Sequence, residues 1–352
     1  MHRLAEEATI AYEEAREAVK SYINAASTKE IVFTSGATAS LNLVAFCFGE
    51  AYVKAGDEVI VSAAEHHSNI VSWQLMCQRK GAFLKVLPVD DQGRLQIELL
   101  DGMLNDRTRI VAVTHISNVL GLVNPVKEIV RICHAKGVPV LIDGAQGIVH
   151  QRVDVQDIDC DFYAFSGHKI YAATGTGVLY AKEKYLQEMP PYMGGGEMVG
   201  TVTFGNTTYA ELPLKFEAGT PNFAGAATLK PAVEFLERID NQVVKSNERQ
   251  ITEYMVRELQ ADSRIHLFGW TGKIEEKIPL FSFIVDGVHH EDLALILDKM
   301  GIAARSGHMC AEPLMTRFGV TGMLRVSFAP YNTLEEAGYF IRCLHKAIDM
   351  LA

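Results

Sequence analysis

The sequence has 352 residues, 48% of them hydrophobic and 22% charged, and a formal net charge of −10. That mixture gives a globular chain with core enough for two domains, and the acidic balance argues against nucleic acid as a partner. No apolar run is long enough to span a membrane, and six scattered cysteines (Cys47, Cys77, Cys133, Cys160, Cys310, Cys343) without CxxC spacing argue against a zinc ribbon or a disulfide framework.

Residues 4–24 read as an amphipathic helix, with Leu4, Ala8, Tyr12, Ala15, Val19 and Tyr22 on one stripe. Met1-His2-Arg3-Leu4 carries no apolar signal-peptide core, which with the unpaired cysteines places the protein in the cytoplasm. Glu30–Thr34 reads as a strand running through Ser35-Gly36-Ala37-Thr38 into an apolar helix from Leu41. Such a turn exposes backbone N–H groups at a helix N-terminus and suits a phosphate, although it matches neither GxGxxG nor a Walker A loop.

The alternation continues with strands at 58–62, 83–88, 109–114, 138–143 and 161–165 and helices at 68–80, 95–104 and 126–136. Gly175–Tyr180 adds a glycine turn and a further strand. Repeated βα units predict an α/β fold with a mainly parallel sheet covered on both faces. From Pro190-Pro191 the texture changes. A hairpin is expected in 197–216, around Gly205-Asn206, then helices at 224–239 and 241–260. Strands follow at 265–268 and 280–285, a helix at 290–300, and two strands flanking a loop with Arg305 and Cys310. The last helix is expected from Asn332, with Glu335 completing a capping box. The C-terminal part reads as a smaller α+β domain, giving 1–238 and 239–352.

Several side chains fall at the carboxyl ends of these strands, where open α/β sheets hold ligands. Asp143 ends one apolar strand, and Ser166-Gly167-His168-Lys169 follows another. A lysine and an aspartate at neighbouring strand ends suit pyridoxal phosphate (PLP): the lysine bonds the cofactor and the aspartate keeps its ring nitrogen protonated, so the ring can act as an electron sink. A surface lysine and a helix-capping aspartate would also account for them. His66, in Glu65-His66-His67, could stack on a flat cofactor and carry a proton, or be structural; no third ligand converges to make it a metal site. Asn118 and Gln146 share the same sheet edge, where both also serve as turn formers. Cys310, in Arg305-Ser306-Gly307-His308-Met309-Cys310, is either a nucleophile or a buried inert thiol. Arg325, inside an apolar strand, needs an anionic partner: a substrate carboxylate or a structural acid.

Taken together, the chain resembles a group II (SufS/CsdA-like) cysteine desulfurase of the class V aminotransferase family, with PLP-dependent fold type I. The motifs carrying the resemblance are Glu65–Val71, Ile116–Gly121, Asp143–Gln146, Ser166–Lys169, Phe216–Asn222 and Arg305–Ala311. The short loop before Cys310 and the hairpin before 216 resemble group II rather than the NifS/IscS group. The family pattern also has an N-terminal segment lining the substrate site, and the sequence opening at Met1-His2-Arg3 lacks most of it. Ala39 stands where relatives often carry an acid, and Ala172-Ala173 where they carry Gly-Pro.

The resemblance implies that Lys169 holds PLP and moves the substrate Cα proton. Asp143 would pair with the ring nitrogen and Gln146 with the phenolic oxygen, while His66 stacks on the ring and acts as an acid. Ala37, Thr38, Ser166 and His168 would bind the phosphate, with Thr220 reaching in from the second subunit of a homodimer. Asn118, Arg325 and Arg305 would bind the substrate carboxylate. Cys310 would take the sulfur of L-cysteine as a persulfide, releasing alanine, and pass it to an acceptor protein of Fe–S cluster assembly. Selenocysteine lyase activity on L-selenocysteine, another class V reaction, and a weakly active dimeric scaffold are the alternatives.

Overall fold

The computed structural model describes residues 2–351. Its larger sheet is built from β1 (Ile31–Thr34), β2 (Glu58–Ser62), β3 (Phe83–Leu87), β4 (Thr108–Thr114), β5 (Val140–Asp143), β6 (Phe162–Ser166) and β7 (Gly177–Ala181), in the order β1-β7-β6-β5-β4-β2-β3. The pairs from β3 through β6 are parallel, and β7 is antiparallel to both its neighbours. The near-continuous apolar strands follow from helices on both faces. Alternate residues serve opposite cores: Ile60, Val111, Ile142, Phe165 and Val178 face one cluster, while Val61, Ala112, Leu141, Ala164 and Leu179 face the other. Each large apolar side chain so buried contributes about 1.5–3 kcal/mol.

The N-terminal helix Arg3–Tyr22 is fixed to this layer by a buried ion pair. Arg16 donates from Nη1 and Nη2 to the two carboxylate oxygens of Glu217 at 2.7 and 3.0 Å. Glu217 also accepts from the Tyr12 hydroxyl at 2.8 Å and the Phe33 N–H at 2.7 Å. Every lone pair aimed inward therefore has a donor, which makes so buried a carboxylate tolerable.

β8 (Val199–Val202) and β9 (Thr207–Tyr209) form the expected hairpin, with Phe204 fully exposed near its tip. The second sheet is antiparallel, in the order β10 (Ile265–Phe268), β11 (Leu280–Val285), β13 (Met323–Ser327), β12 (Arg305–Gly307). It packs with helices Asn241–Ala261, His290–Lys299 and Leu334–Leu351 around Phe281, Phe283, Leu324 and Leu344.

The structure departs from the sequence expectations in several places. The helix expected over 95–104 is a 3-10 turn, Ile97–Leu99, and one helical turn, Leu100–Met103. Leu95 instead bridges Val89, and the Gln96 N–H bonds the Pro88 carbonyl, so this backbone is already committed. The helix expected over 224–239 breaks at Thr228 into Phe223–Ala227 and Leu229–Arg238, because Pro231 offers no N–H to continue it. The last helix starts at Leu334 and not at Asn332, and its cap moves from Asn332 to Thr333. Its capping box is Thr333 with Glu336, bonded reciprocally at 3.2 and 2.8 Å, because the Asn332 side chain accepts the Ala329 N–H. Arg305 lies in β12, not in a loop. Several other strand ends shift by one or two residues, with Glu30 in a 3-10 turn and β5 starting at Val140.

Candidate active site

Parallel strands β2, β4, β5 and β6 deliver their carboxyl ends to one edge of the sheet, and a cavity of about 280 Å³ lies there. Ala37, Thr38, His66, Asn118, Asp143, Gln146, Ser166, His168, Lys169, Arg305 and Arg325 all line it, joined by Ser68, Thr114, Ile116 and Ala145. Thr220 does not. It lines a neighbouring cavity with Gly175, Asn222 and Tyr192. Cys310 stands at the margin, with Nη2 of Arg305 donating to its sulfur at 3.5 Å.

Asp143 ends β5, and its Oδ1 accepts the Ala145 N–H at 3.0 Å. Burial pushes its carboxyl up to about 6, against the opposing pull of that N–H and of Lys169. Lys169 sits in the 3-10 turn Gly167–Ile170 that directly follows β6. Burial, then the charges of Arg325 and Arg305, pull its amine below the usual lysine range, while Asp143 acts in the other direction. Three cations thus surround a single interior carboxylate of the pocket, a balance that calls for an anionic ligand.

His66 caps the helix His67–Lys80: its Nδ1 accepts the Ser68 N–H at 3.2 Å and lies 2.8 Å from the Ser68 hydroxyl. An accepting Nδ1 puts the ring proton on Nε2. Burial first, helped by the nearby charges of Lys169 and Arg305, lowers this imidazole to about 4, so it is neutral and a donor at physiological pH.

The helix Ala37–Tyr52 begins at Gly36, whose φ is 152°, and no side chain of Gly36 can cap it. The Ala37 N–H donates to the Ser166 hydroxyl at 2.8 Å. A Cβ on Gly177 would overlap the Gly36 backbone, so the close approach of β7 to this turn needs glycine there. The result is a cradle of helix N-terminal N–H groups beside Ser166 and His168, suited to a phosphate.

The Asn118 loop is held by the smaller sheet. Two successive carbonyls accept from its side chains, Asn118 from Arg325 at 2.8 Å and Val119 from Ser282, and the next, Leu120, accepts from Lys277 just ahead of β11. Lys277 is buried with no carboxylate partner among the described residues, and that burial pulls its amine down to about 7. The Asn118 amide donates to the Met309 carbonyl at 2.7 Å, so one of its two hydrogens is already used on the Cys310 turn. Nε of Arg325 is buried with no bonding partner among the described residues, which leaves a guanidinium edge for a carboxylate. Burial, then Arg305, draws this guanidinium down to about 10, still cationic at neutral pH.

Sequence reasoning missed a supporting layer. Glu65, fully buried, accepts from Asn69 at 2.7 Å, the Thr114 N–H at 2.8 Å and the Ser62 hydroxyl. Burial raises its carboxyl to about 8, with nearby Asp143 adding to the effect. His115 and Tyr163 bond each other at 2.9 Å beneath the Asp143 turn, and a Cβ at Gly144 or Gly147 would run into them. The signal available was an acidic residue, Glu65, in the short turn between the apolar strand β2 and the next helix.

PLP, the cofactor implied by the resemblance, fits these residues. The pocket supplies a lysine of lowered basicity, a buried carboxylate for a ring nitrogen, an N–H cradle for a phosphate, and a spare guanidinium edge for the substrate.

The comparisons with known proteins agree. The aminotransferase class-V family profile matches residues 1–340. A probable cysteine desulfurase of Vibrio cholerae is 44% identical over 350 residues, covering 99% of this chain and 86% of that protein. A cysteine desulfurase of Cronobacter sakazakii is 46% identical over 352 residues, covering 100% and 86%. The crystal structure of the Escherichia coli cysteine desulfurase CsdA superposes with a TM-score of 0.94 at 40% identity, over 100% of this chain and 88% of that one.

Proposed function

The chain belongs to the class V aminotransferase family and acts as a PLP-dependent cysteine desulfurase, and from that premise we propose that Cys310 takes up the sulfur and hands it on. The observation that carries this reading is the Cys310 sulfur 3.5 Å from Arg305, a residue that itself lines the Lys169 cavity.

Bound PLP supplies an electron sink for the carbon chain of the substrate. Lys169 holds the cofactor and, as an amine of lowered basicity, moves the substrate Cα proton. Asp143 would pair with the ring nitrogen and Gln146 with the phenolic oxygen, and His66, with Nε2–H as its donor, would cover the ring face. Ala37, Thr38, Ser166 and His168 would hold the phosphate. Arg325, Arg305 and the second amide hydrogen of Asn118 orient the carboxylate of L-cysteine. The Cys310 thiolate attacks the substrate sulfur. The C–S bond breaks with its electron pair left on carbon, which takes a proton, so L-cysteine and the Cys310 thiol give alanine and a Cys310 persulfide.

Three parts of the reading reach further. The acceptor of the persulfide sulfur is a protein of Fe–S cluster assembly. The enzyme is a cytoplasmic homodimer in which Thr220 completes the phosphate site of the other subunit; its position outside its own cavity and the exposed apolar hairpin of Val202, Phe204 and Tyr209 support this. The large domain ends at 238, the last residue of the helix Leu229–Arg238 and just ahead of Asn241–Ala261. Among the described residues, no helix is long and apolar enough to cross a membrane.

The test is direct. The purified protein should show a visible PLP absorbance, form a borohydride-stable adduct at Lys169, and produce alanine and sulfide from L-cysteine. Cys310→Ala should keep the absorbance and lose the persulfide; sulfur transfer surviving that change would assign the nucleophile elsewhere. The same assay with L-selenocysteine separates the two substrates.

A further inference from the structure

We propose that His67 is a positioning residue for the sulfur-carrying turn, clamping Cys310 at the pocket margin from both sides. The inference rests on reading Cys310 as the sulfur acceptor.

From within, the turn is closed by the Ala311 N–H donating to the His308 carbonyl at 2.9 Å. Met309 and Cys310 have φ of 54° and 57°, two consecutive non-glycine residues in the left-handed region, a conformation that persists where the surroundings impose it. Met309 and Ala311 are buried in the core on either side, which turns the half-exposed Cys310 outward between them. Its carbonyl is then fixed by one bond, the His67 N–H at 2.7 Å. His67 is the first residue of its helix, so that N–H has no partner within the helix.

The second bond returns from the side chain. Nε2 of His67 accepts the N–H of Glu312 at 3.0 Å, and Glu312 opens the helix Glu312–Phe318 immediately after the turn. Two helix starts thus cap each other across 245 residues of sequence, with the Cys310 peptide between them. An accepting Nε2 places the His67 ring proton on Nδ1, the reverse of His66. The adjacent histidines divide the labour: His66 lines the cofactor pocket and His67 sets where the sulfur stands.

The bond can be deleted from either end in the full-length enzyme with PLP bound. His67→Leu removes the acceptor but keeps the backbone N–H. Glu312→Pro removes the donor at a first helical position, where proline is tolerated. Losing one such cap should lower kcat for alanine formation about fivefold. KM for L-cysteine, PLP absorbance and its change on adding substrate should stay as in the wild type, while amide exchange rises across 308–314. His67→Gln, which presents an acceptor oxygen at similar reach, should restore both kcat and protection. The double variant should lose no more than either single one. Wild-type kcat and exchange in His67→Leu, additive losses in the double variant, or loss of PLP absorbance alongside kcat would overturn the proposal. If one single variant fails to fold, the other single variant gives the same reading. Cys310→Ala run in parallel separates the two ideas. An active Cys310→Ala enzyme removes the premise; an inactive one beside a fully active His67→Leu enzyme removes only the role of His67.

Discussion

Nη1 of Arg325 donates to the carbonyl of Asn118 over 2.8 Å, joining residues 207 apart in the chain. One nitrogen of the guanidinium therefore holds the loop that forms one wall of the cavity, while Nε has no partner among the described residues. Arg325→Lys keeps the charge and loses the planar fork. It should raise KM for L-cysteine by about 10- to 100-fold, with PLP absorbance unchanged. An unaltered KM in steady-state assays would mean that the substrate carboxylate binds elsewhere.

Glu65 sets a pH dependence of stability. Its folded carboxyl keeps its proton up to about pH 8, whereas an unfolded glutamate loses it near about pH 4.3. The folded state binds more protons across that window, so this contribution is fully present below the unfolded value and is lost as pH rises through 8. Urea unfolding of the wild type and Glu65→Gln at pH 5 and pH 8 checks the point. The fall in stability from pH 5 to pH 8 should be smaller in Glu65→Gln, by on the order of a few kcal/mol. An equal fall in both proteins would show that Glu65 ionises normally in the fold.

Among the described residues, Glu217 is the only carboxylate facing buried Arg16 from outside its own helix; the other, Glu13, lies one turn away and half exposed. Glu217→Ala leaves that guanidinium buried and largely uncompensated, which costs about 3–5 kcal/mol. Chemical denaturation should show a loss of this size. The double change Arg16→Met with Glu217→Ala should recover a large part of it, because no buried charge is left unpaired.

Gly177→Ala tests the phosphate cradle. The added methyl would overlap the Gly36 backbone and push the N–H groups of the following turn out of place. PLP affinity should fall at least about tenfold, the equivalent of one lost charge-assisted hydrogen bond. Fluorescence titration of the cofactor-free protein measures it, and unchanged affinity would place the phosphate outside this turn.

Much of this was legible in the chain itself. Buried strands and helical stripes show as apolar periodicity, and parallel βα units bring their strand carboxyl ends to one edge. Asp143, Lys169, His66 and Asn118 could therefore be assigned to a common site before any contact was known. The helix expected over 95–104 failed because its apolar spacing was outcompeted by backbone bonds from Leu95 and Gln96 to the preceding segment. The Asn332 box failed because its side chain was drawn to Ala329, and such competition between neighbouring caps is settled by three-dimensional geometry.

The sequence by itself determined the inventory: a parallel sheet with its functional groups at one edge, a lysine and an aspartate at adjacent strand ends, and a cysteine on a second unit. How those groups are poised follows from packing. The charge state of Glu65, Asp143, His66 and Lys277 depends on desolvation, which is a property of everything packed around a group and not of its neighbours in sequence. The placing of Cys310 depends on bonds from Asn118, His67 and Arg305. The first two lie on segments that follow strands of the larger sheet, and the third is in β12, just before the Cys310 turn. Hydrogen bonds act over about 3 Å, so contacts between residues some two hundred apart exist only once the two sheets have packed.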